Sequence, residues 1–199
     1  SALWDHRGDV TWTTEHSLHN IRNTVLSKDI EKILNKNITF VNGASYAGAA
    51  VNWFGHNGLL TDCTFINNTA DNGGAVEWTG HNGTVSNCIF MNNLVDGAGG
   101  AIEVERASNC EILDCLFINN RAKYGGAIYS NDNKIEIINC VFINNHATSL
   151  GGAICLDSNN AVKPNITIKN TIINNIKIAI NTLKKLTFFL LLLITIHLP

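Results

Sequence analysis

The chain has 199 residues and a mass of 21.7 kDa, enough for one domain with its own core. Fourteen Lys and Arg against sixteen Asp and Glu leave a net charge of −2 and an isoelectric point near 6.4, which excludes a nucleic-acid binder that works by neutralising phosphates. Charged residues are 15%, hydrophobic residues 45% and mean hydropathy +0.07, so the composition is not that of a disordered chain. Asn supplies 29 residues and Pro only 2, which predicts many short strands parted by Asn and Gly turns rather than helices.

In chain order, residues 1–33 fit no repeat. They hold Trp4, Trp12 and three His, and read as an irregular N-terminal coil or a cap over the edge of the first rung. The start at Ser1, without Met or a charged-then-apolar leader, reads as a fragment or a processed chain.

From residue 34 a repeat takes over. CTFINN (63–68), CIFMNN (88–93), CLFINN (115–120) and CVFINN (140–145) recur at spacings of 25, 27 and 25. Between them GGAV (73–76), GGAI (99–102), GGAI (125–128) and GGAI (151–154) recur every 26 residues. ITFVNG (38–43) with GAAV (48–51) is an earlier copy, and NTIINN (170–175) a weakened sixth. VNWFGHNG (51–58) aligns with VEWTGHNG (76–83) residue for residue. Asn-Asn and Gly-Gly in the four central copies break helices, and the leucine-rich pattern is absent, so a β-solenoid of one coil per repeat remains.

Cys and Phe stand two apart in each copy, hence on one face of a strand. Stacked coils then align Phe40, Phe65, Phe90, Phe117 and Phe142 as an internal ladder, beside a column of Cys63, Cys88, Cys115 and Cys140. Val76, Ile102, Ile128 and Ile154 line a second inner face. Asn68, Asn93, Asn120 and Asn145 are expected to stack at the turn, where Asn tolerates left-handed backbone and bonds amide to amide. The cysteines read as free buried thiols, with bridging or metal binding as the alternatives and Cys110 and Cys155 off the column. No cofactor or metal follows from the pattern.

GGA[IV] paired with FxxN, matched at Phe65/Asn68, Phe90/Asn93, Phe117/Asn120 and Phe142/Asn145, resembles the repeat of polymorphic outer-membrane proteins and of adhesin-like surface proteins. The first copy departs, with Gly43 in the Asn slot. The resemblance spans roughly 34–175 and implies a right-handed parallel β-helix of the pectin lyase-like kind, displayed outside the cell for adhesion or as a stalk. GHNG (55–58 and 80–83) is similar to the Gly-His-Gly turn of polygalacturonases, but the Asp cluster and paired cations of that family have no match here.

The expected architecture is therefore an all-β, right-handed parallel β-helix of about six coils over 34–180, followed by an apolar tail at 181–199. That tail carries two lysines and an apolar run of roughly 13 residues, short of the ~20 that span a bilayer as a helix. It reads as a final strand or cap, as the start of a truncated anchor, or as sequence foreign to the fold, which leaves membrane association open.

The expected function is a non-enzymatic adhesin-like module, secreted or on the cell surface, that attaches to glycans or partner cells. Two rivals stand beside it: a polysaccharide lyase or glycoside hydrolase on the same fold, and a structural stalk. Trp53, Trp78, Glu77 and Glu103 are the candidate ligand contacts, although the tryptophans share strand parity with inward Val51 and Val76, which favours core packing or corner filling over contact. Asn37, Asn67, Asn82 and Asn165 lie in N-x-[ST] sequons and are the candidate glycosylation sites. The outward slots beside each Phe form an apolar strip, Thr39/Val41 through Thr64/Ile66, Ile89/Met91 and Leu116/Ile118 to Val141/Ile143, expected to meet a lateral protein partner.

Overall fold

A computed structural model describes residues 2–4, 10–13, 18–21, 38–107, 109–131, 134–157, 165–174 and 178–180. Each repeat makes one turn of a solenoid through four short strands. The chain runs as Thr64–Ile66, bends at Asn67–Asn68, continues as Thr69–Asn72 and crosses Gly73 and Gly74. It then runs as Val76–Trp78, bends through the second GHNG and closes the turn with Thr84–Ser86. Five such turns are complete among the described residues, and Ile172–Ile173 with Ile178–Ile180 belong to a sixth.

Strands of like position pair in parallel and build four sheets. We call them the phenylalanine sheet (from Thr39–Val41), the outer-corner sheet (from Ala44–Ala47), the tryptophan sheet (from Val51–Trp53) and the closing sheet (from Leu59–Thr61). Register is kept rung after rung: Phe40 pairs with Phe65, Phe65 with Phe90, Phe90 with Phe117 and Phe117 with Phe142. The rings stack with centroids 4.6 to 5.0 Å apart and planes within 7° of parallel. Val51, Val76, Ile102, Ile128 and Ile154 face them from the tryptophan sheet, so alternation fills one continuous dry core.

The two asparagines of each turn divide the work that was expected of the second alone. Asn42, Asn67, Asn92, Asn119 and Asn144, the first of each pair, take the left-handed conformation. Their successors Asn68, Asn93, Asn120 and Asn145 keep negative φ and bury their amides in a ladder. Asn68 Nδ2 donates to Asn93 Oδ1 at 2.9 Å and to the Phe40 carbonyl at 3.2 Å, and the pattern repeats at each rung. Where the second Asn is missing, at Gly43, the backbone N–H still donates to Asn68 Oδ1 at 2.9 Å.

All six cysteines are free and buried, Cys110 and Cys155 included. In the column, each thiol lies against the carbonyl two residues before it, as Cys63 does with Thr61 at 3.1 Å. Thr171 takes the same slot in the sixth coil, its hydroxyl donating to the Lys169 carbonyl at 2.9 Å. Cys88 and Cys140, hydrogen-bonded to Cys115 and buried, are held far above the ordinary thiol range and stay protonated.

At the N-terminus, Val10–Thr13 pairs in parallel with Thr39–Val41 and brings Trp12 into register with Phe40. Leu18–Ile21 likewise joins the tryptophan sheet. Residues 1–33, expected as an irregular coil or a cap over the first rung's edge, supply strands to two sheets. Ala2–Trp4 pairs antiparallel on the outer edge, where another parallel coil would otherwise add. The apolar tail at 181–199 lies outside the described residues. Among the described residues no helix is long and apolar enough to cross a membrane.

Candidate functional site

The residue after the first buried position of each tryptophan-sheet strand points outward, and these residues form one row. Asn52, Glu77, Glu103, Tyr129 and Cys155 are register neighbours in that order. Strand alternation alone predicts an exposed row. The structure half-buries Asn52, Glu77 and Tyr129 and buries Glu103, 8% exposed, and Cys155, 2% exposed.

The cause is the Gly-Gly segment. Gly73, Gly99, Gly125 and Gly151 adopt φ between 60° and 67°, which turns the chain sharply across the row four residues ahead. A Cβ on Gly73 would stand 2.7 Å from the Glu77 Cβ, and one on Gly151 the same distance from the Cys155 Cβ. The second glycines pack coil on coil: a Cβ on Gly74, Gly100 or Gly126 would meet the carbonyl of Gly100, Gly126 or Gly152 in the next turn.

Burial sets the electrostatics of the row. It pushes Glu103 up to about 7, with the Glu77 and Glu105 charges adding and a Gly73 backbone hydrogen bond opposing. Glu77 is raised by burial and then by Glu105. Tyr129 is pushed up to about 12 and Cys155 to about 11, burial leading in both, with Asp157 the next cause. Arg106, exposed, lies 3.6 Å from Glu105.

Asn52 Oδ1 and Glu77 Oε2 are buried acceptors with no hydrogen-bond partner, on adjacent rungs. Burial and the Glu105 charge both raise the Glu77 carboxyl above its ordinary value. Chemically the row is a pair of stacked carboxyls that holds a proton near neutral pH. No group of three or more metal-ligating side chains gathers among the described residues.

The other predicted contacts fall elsewhere. Trp53 and Trp78 are 2% exposed and stack 5.2 Å apart inside the core, so neither ring offers a face to a ligand. GHNG is their seat. Trp53 Nε1 donates to the Gly55 carbonyl at 2.9 Å and Trp78 Nε1 to Gly80 at 2.8 Å. Asn57 and Asn82 turn the chain with φ of 57° and 55°, and Gly58 and Gly83 bring bare backbone against the indoles, where a Cβ would overlap the ring. His56 and His81 stack outside with centroids 4.9 Å apart, as turn residues. Sequence reasoning missed this role of GHNG, although the Trp two residues before each GHNG is its signal.

Of the sequons, Asn67 and Asn82 are exposed at left-handed corners. Asn82 is engaged on both sides, donating to Asn57 Oδ1 at 3.2 Å and accepting from Asn109 Nδ2 at 3.0 Å. Asn165 opens the strand Asn165–Lys169, and Asn37 lies outside the described residues. The apolar strip runs along the phenylalanine sheet in unbroken register, from Val41 through Ile66, Met91 and Ile118 to Ile143, each half-buried.

No curated protein and no solved structure matches the chain. The family model described as a right-handed beta helix region matches residues 5–170, which takes in the strands from Val10–Thr13 to the fifth turn. The chain belongs to the right-handed β-helix family.

Proposed function

We propose that the protein is a non-enzymatic adhesin-like module, secreted or on the cell surface, whose β-helix attaches to glycans or partner cells. The observation that supports this is the repetition of its outward groups. Asn57, Asn82 and Asn109 recur in one column, and Asp114, Asn139 and Asn170 in another, at one set per coil. Coils rise ~4.8 Å, so the surface presents hydrogen-bonding groups at a fixed short period, suited to a partner that is itself periodic. The apolar strip of the phenylalanine sheet goes, in this reading, to a lateral protein partner. The full chain applied to a broad glycan array and to cell layers is the test. Saturable binding without cleavage is expected, and an array and cells left bare would overturn it.

One observation favours a polysaccharide lyase or glycoside hydrolase. Glu103, held near pH 7 beside Glu77, has the protonation behaviour of a general acid or base, and stacked carboxyls approach the ~5–5.5 Å separation of retaining glycosidases. Incubation with pectins, polygalacturonate and common glycans separates the readings. Turnover that Glu103→Gln or Glu77→Gln abolishes would establish the enzyme.

A further inference from the structure

The outer-corner sheet turns two columns of side chains to solvent. In its strands the first and third residues are exposed and the second is buried, as in Thr69–Asn72 and Arg121–Tyr124. The first column runs through Thr69, Leu94, Arg121 and His146 in register. Two residues along each segment stand Asp71, Asp96 and Lys123, all exposed. Charge is therefore sorted by coil. Counting coils from the one that holds Phe40, acids occupy the second and third, and cations the fourth.

These charges are not neutralised within the chain. Ion pairs among the described residues join Arg106 to Glu105 and Lys134 to Glu136, and none takes Asp71, Asp96, Arg121 or Lys123. Lys123 holds its ammonium over the Tyr124 ring, 5.3 Å from the centroid. The same sheet carries three large hydrophobic side chains open to water: Tyr46 is 73% exposed, Leu94 44% and Leu150 39%. Open apolar side chains set among unpaired charges of both signs suit a protein partner that carries the opposite pattern.

We propose that this face binds a second copy of the chain, the two solenoids lying antiparallel about a two-fold axis that runs along the strands between the third and fourth coils. Such an axis sets each column against itself and reverses the order of the coils. Asp96 then faces the partner's Lys123, Lys123 faces the partner's Asp96, and the aliphatic stem of Arg121 lies on the partner's Leu94. A parallel pair would put Asp96 on Asp96 and Lys123 on Lys123, so charge selects the antiparallel order. Five coils at ~4.8 Å by four residues at ~3.3 Å give about 300 Å² per copy, against ~800 Å² in a standard interface. The association is accordingly weak, reversible and sensitive to salt. It goes beyond the attachment reading and does not use the apolar strip, which lies on the phenylalanine sheet.

Sedimentation equilibrium of the full chain from about 5 to 500 μM, in about 20 mM and about 500 mM salt, is the test. The wild type is expected to dimerise in low salt with a Kd on the order of 100 μM and to become monomeric in high salt. Asp96→Lys and Lys123→Asp, both at exposed positions, are each expected to weaken self-association about tenfold or more, with far-UV circular dichroism unchanged. Mixed in equal amounts, the two variants are expected to pair as tightly as the wild type, since one copy then carries only cations at the two positions and the other only acids. A wild type that stays monomeric throughout, a dimer indifferent to salt, a dimer that survives Asp96→Lys, or a mixture that does not associate would overturn the proposal. A dimer lost on Ile118→Lys instead would seat the second copy on the apolar strip and overturn it as well.

Discussion

The side-chain oxygen of Asn120 accepts from both nitrogens of Asn93, the backbone N at 3.1 Å and Nδ2 at 2.9 Å. Asn93 Nδ2 also reaches back to the Phe65 carbonyl at 3.2 Å, and its own oxygen accepts from Asn68. The amide thus spends both donors and its acceptor, fully buried, to tie three successive coils together. Its predecessor Asn92 spends nothing on the ladder and supplies only a positive φ.

That division can be measured with glycine, which accepts left-handed backbone but carries no amide. Asn92→Gly should be nearly neutral in urea denaturation. Asn93→Gly removes the oxygen that accepts from the Asn68 backbone N–H and Nδ2 and leaves that buried N–H without its partner, at a cost of about 1–3 kcal/mol. A loss several times larger at 93 than at 92 is expected, and the reverse order would contradict the roles assigned to the two residues.

The phenylalanine ladder gives a prediction about position. A buried Phe→Ala change costs about 3–5 kcal/mol, comparable with a small domain's whole stability. Phe90 has a stacked ring on both sides, whereas the described stack of Phe40 is on Phe65. Each coil touches only its neighbours, so Phe90→Ala should split the stack into weakly coupled halves and broaden the transition with a lower m-value. Phe40→Ala should let one end fray. Equal damage with two sharp transitions would refute the nearest-neighbour picture.

Much of this fold was legible because identical rungs amplify a weak signal. Cys63 and Phe65 two apart fix one inward face, and four further copies fix the register. What escaped had other physical causes. Asn67 and Asn68 are the same residue type, so composition does not say which one bends and which one bonds. Alternation places Glu103 outside, and only the path of Gly73 and Gly99 over the row reveals that it is nearly closed off. Trp78 on an inward parity was legible as core, but the need for a bare Gly83 beneath it required the folded ring.

Gly83 makes that need testable. A methyl there overlaps the Trp78 indole, and the ring is fixed by its bond to the Gly80 carbonyl and its stack on Trp53. Gly83→Ala is expected to destabilise by at least the ~1–3 kcal/mol of an overpacked core and to redshift the tryptophan emission as the ring is displaced. Pairing it with Trp78→Phe, which shortens the ring, should recover part of the loss. Gly83→Ala that leaves both stability and emission unchanged would show that the loop yields freely, and the Trp–GHNG seat would be wrong.

Glu103 supplies the pH dependence. Its ordinary value of 4.5 in the unfolded chain rises to about 7 in the folded one, so the native state holds a proton the unfolded state releases. Stability from this group is fully present below about pH 4.5 and is lost as pH climbs through 7. The shift corresponds to on the order of 3 kcal/mol, and Glu77, raised in the same direction by burial and Glu105, adds to the same slope. Tyr129 and Cys155 titrate far above this window. Urea denaturation at pH 5 and pH 8 should therefore show a chain more stable in mild acid. Glu103→Gln keeps a neutral side chain in the same site and should flatten most of the difference, while Glu77→Gln should lower the Glu103 pKa by removing the charge on the next rung. A wild type equally stable at both values, or a Glu103→Gln protein that keeps the full slope, would mean that Glu103 is solvated as a carboxylate and that the row is open to water.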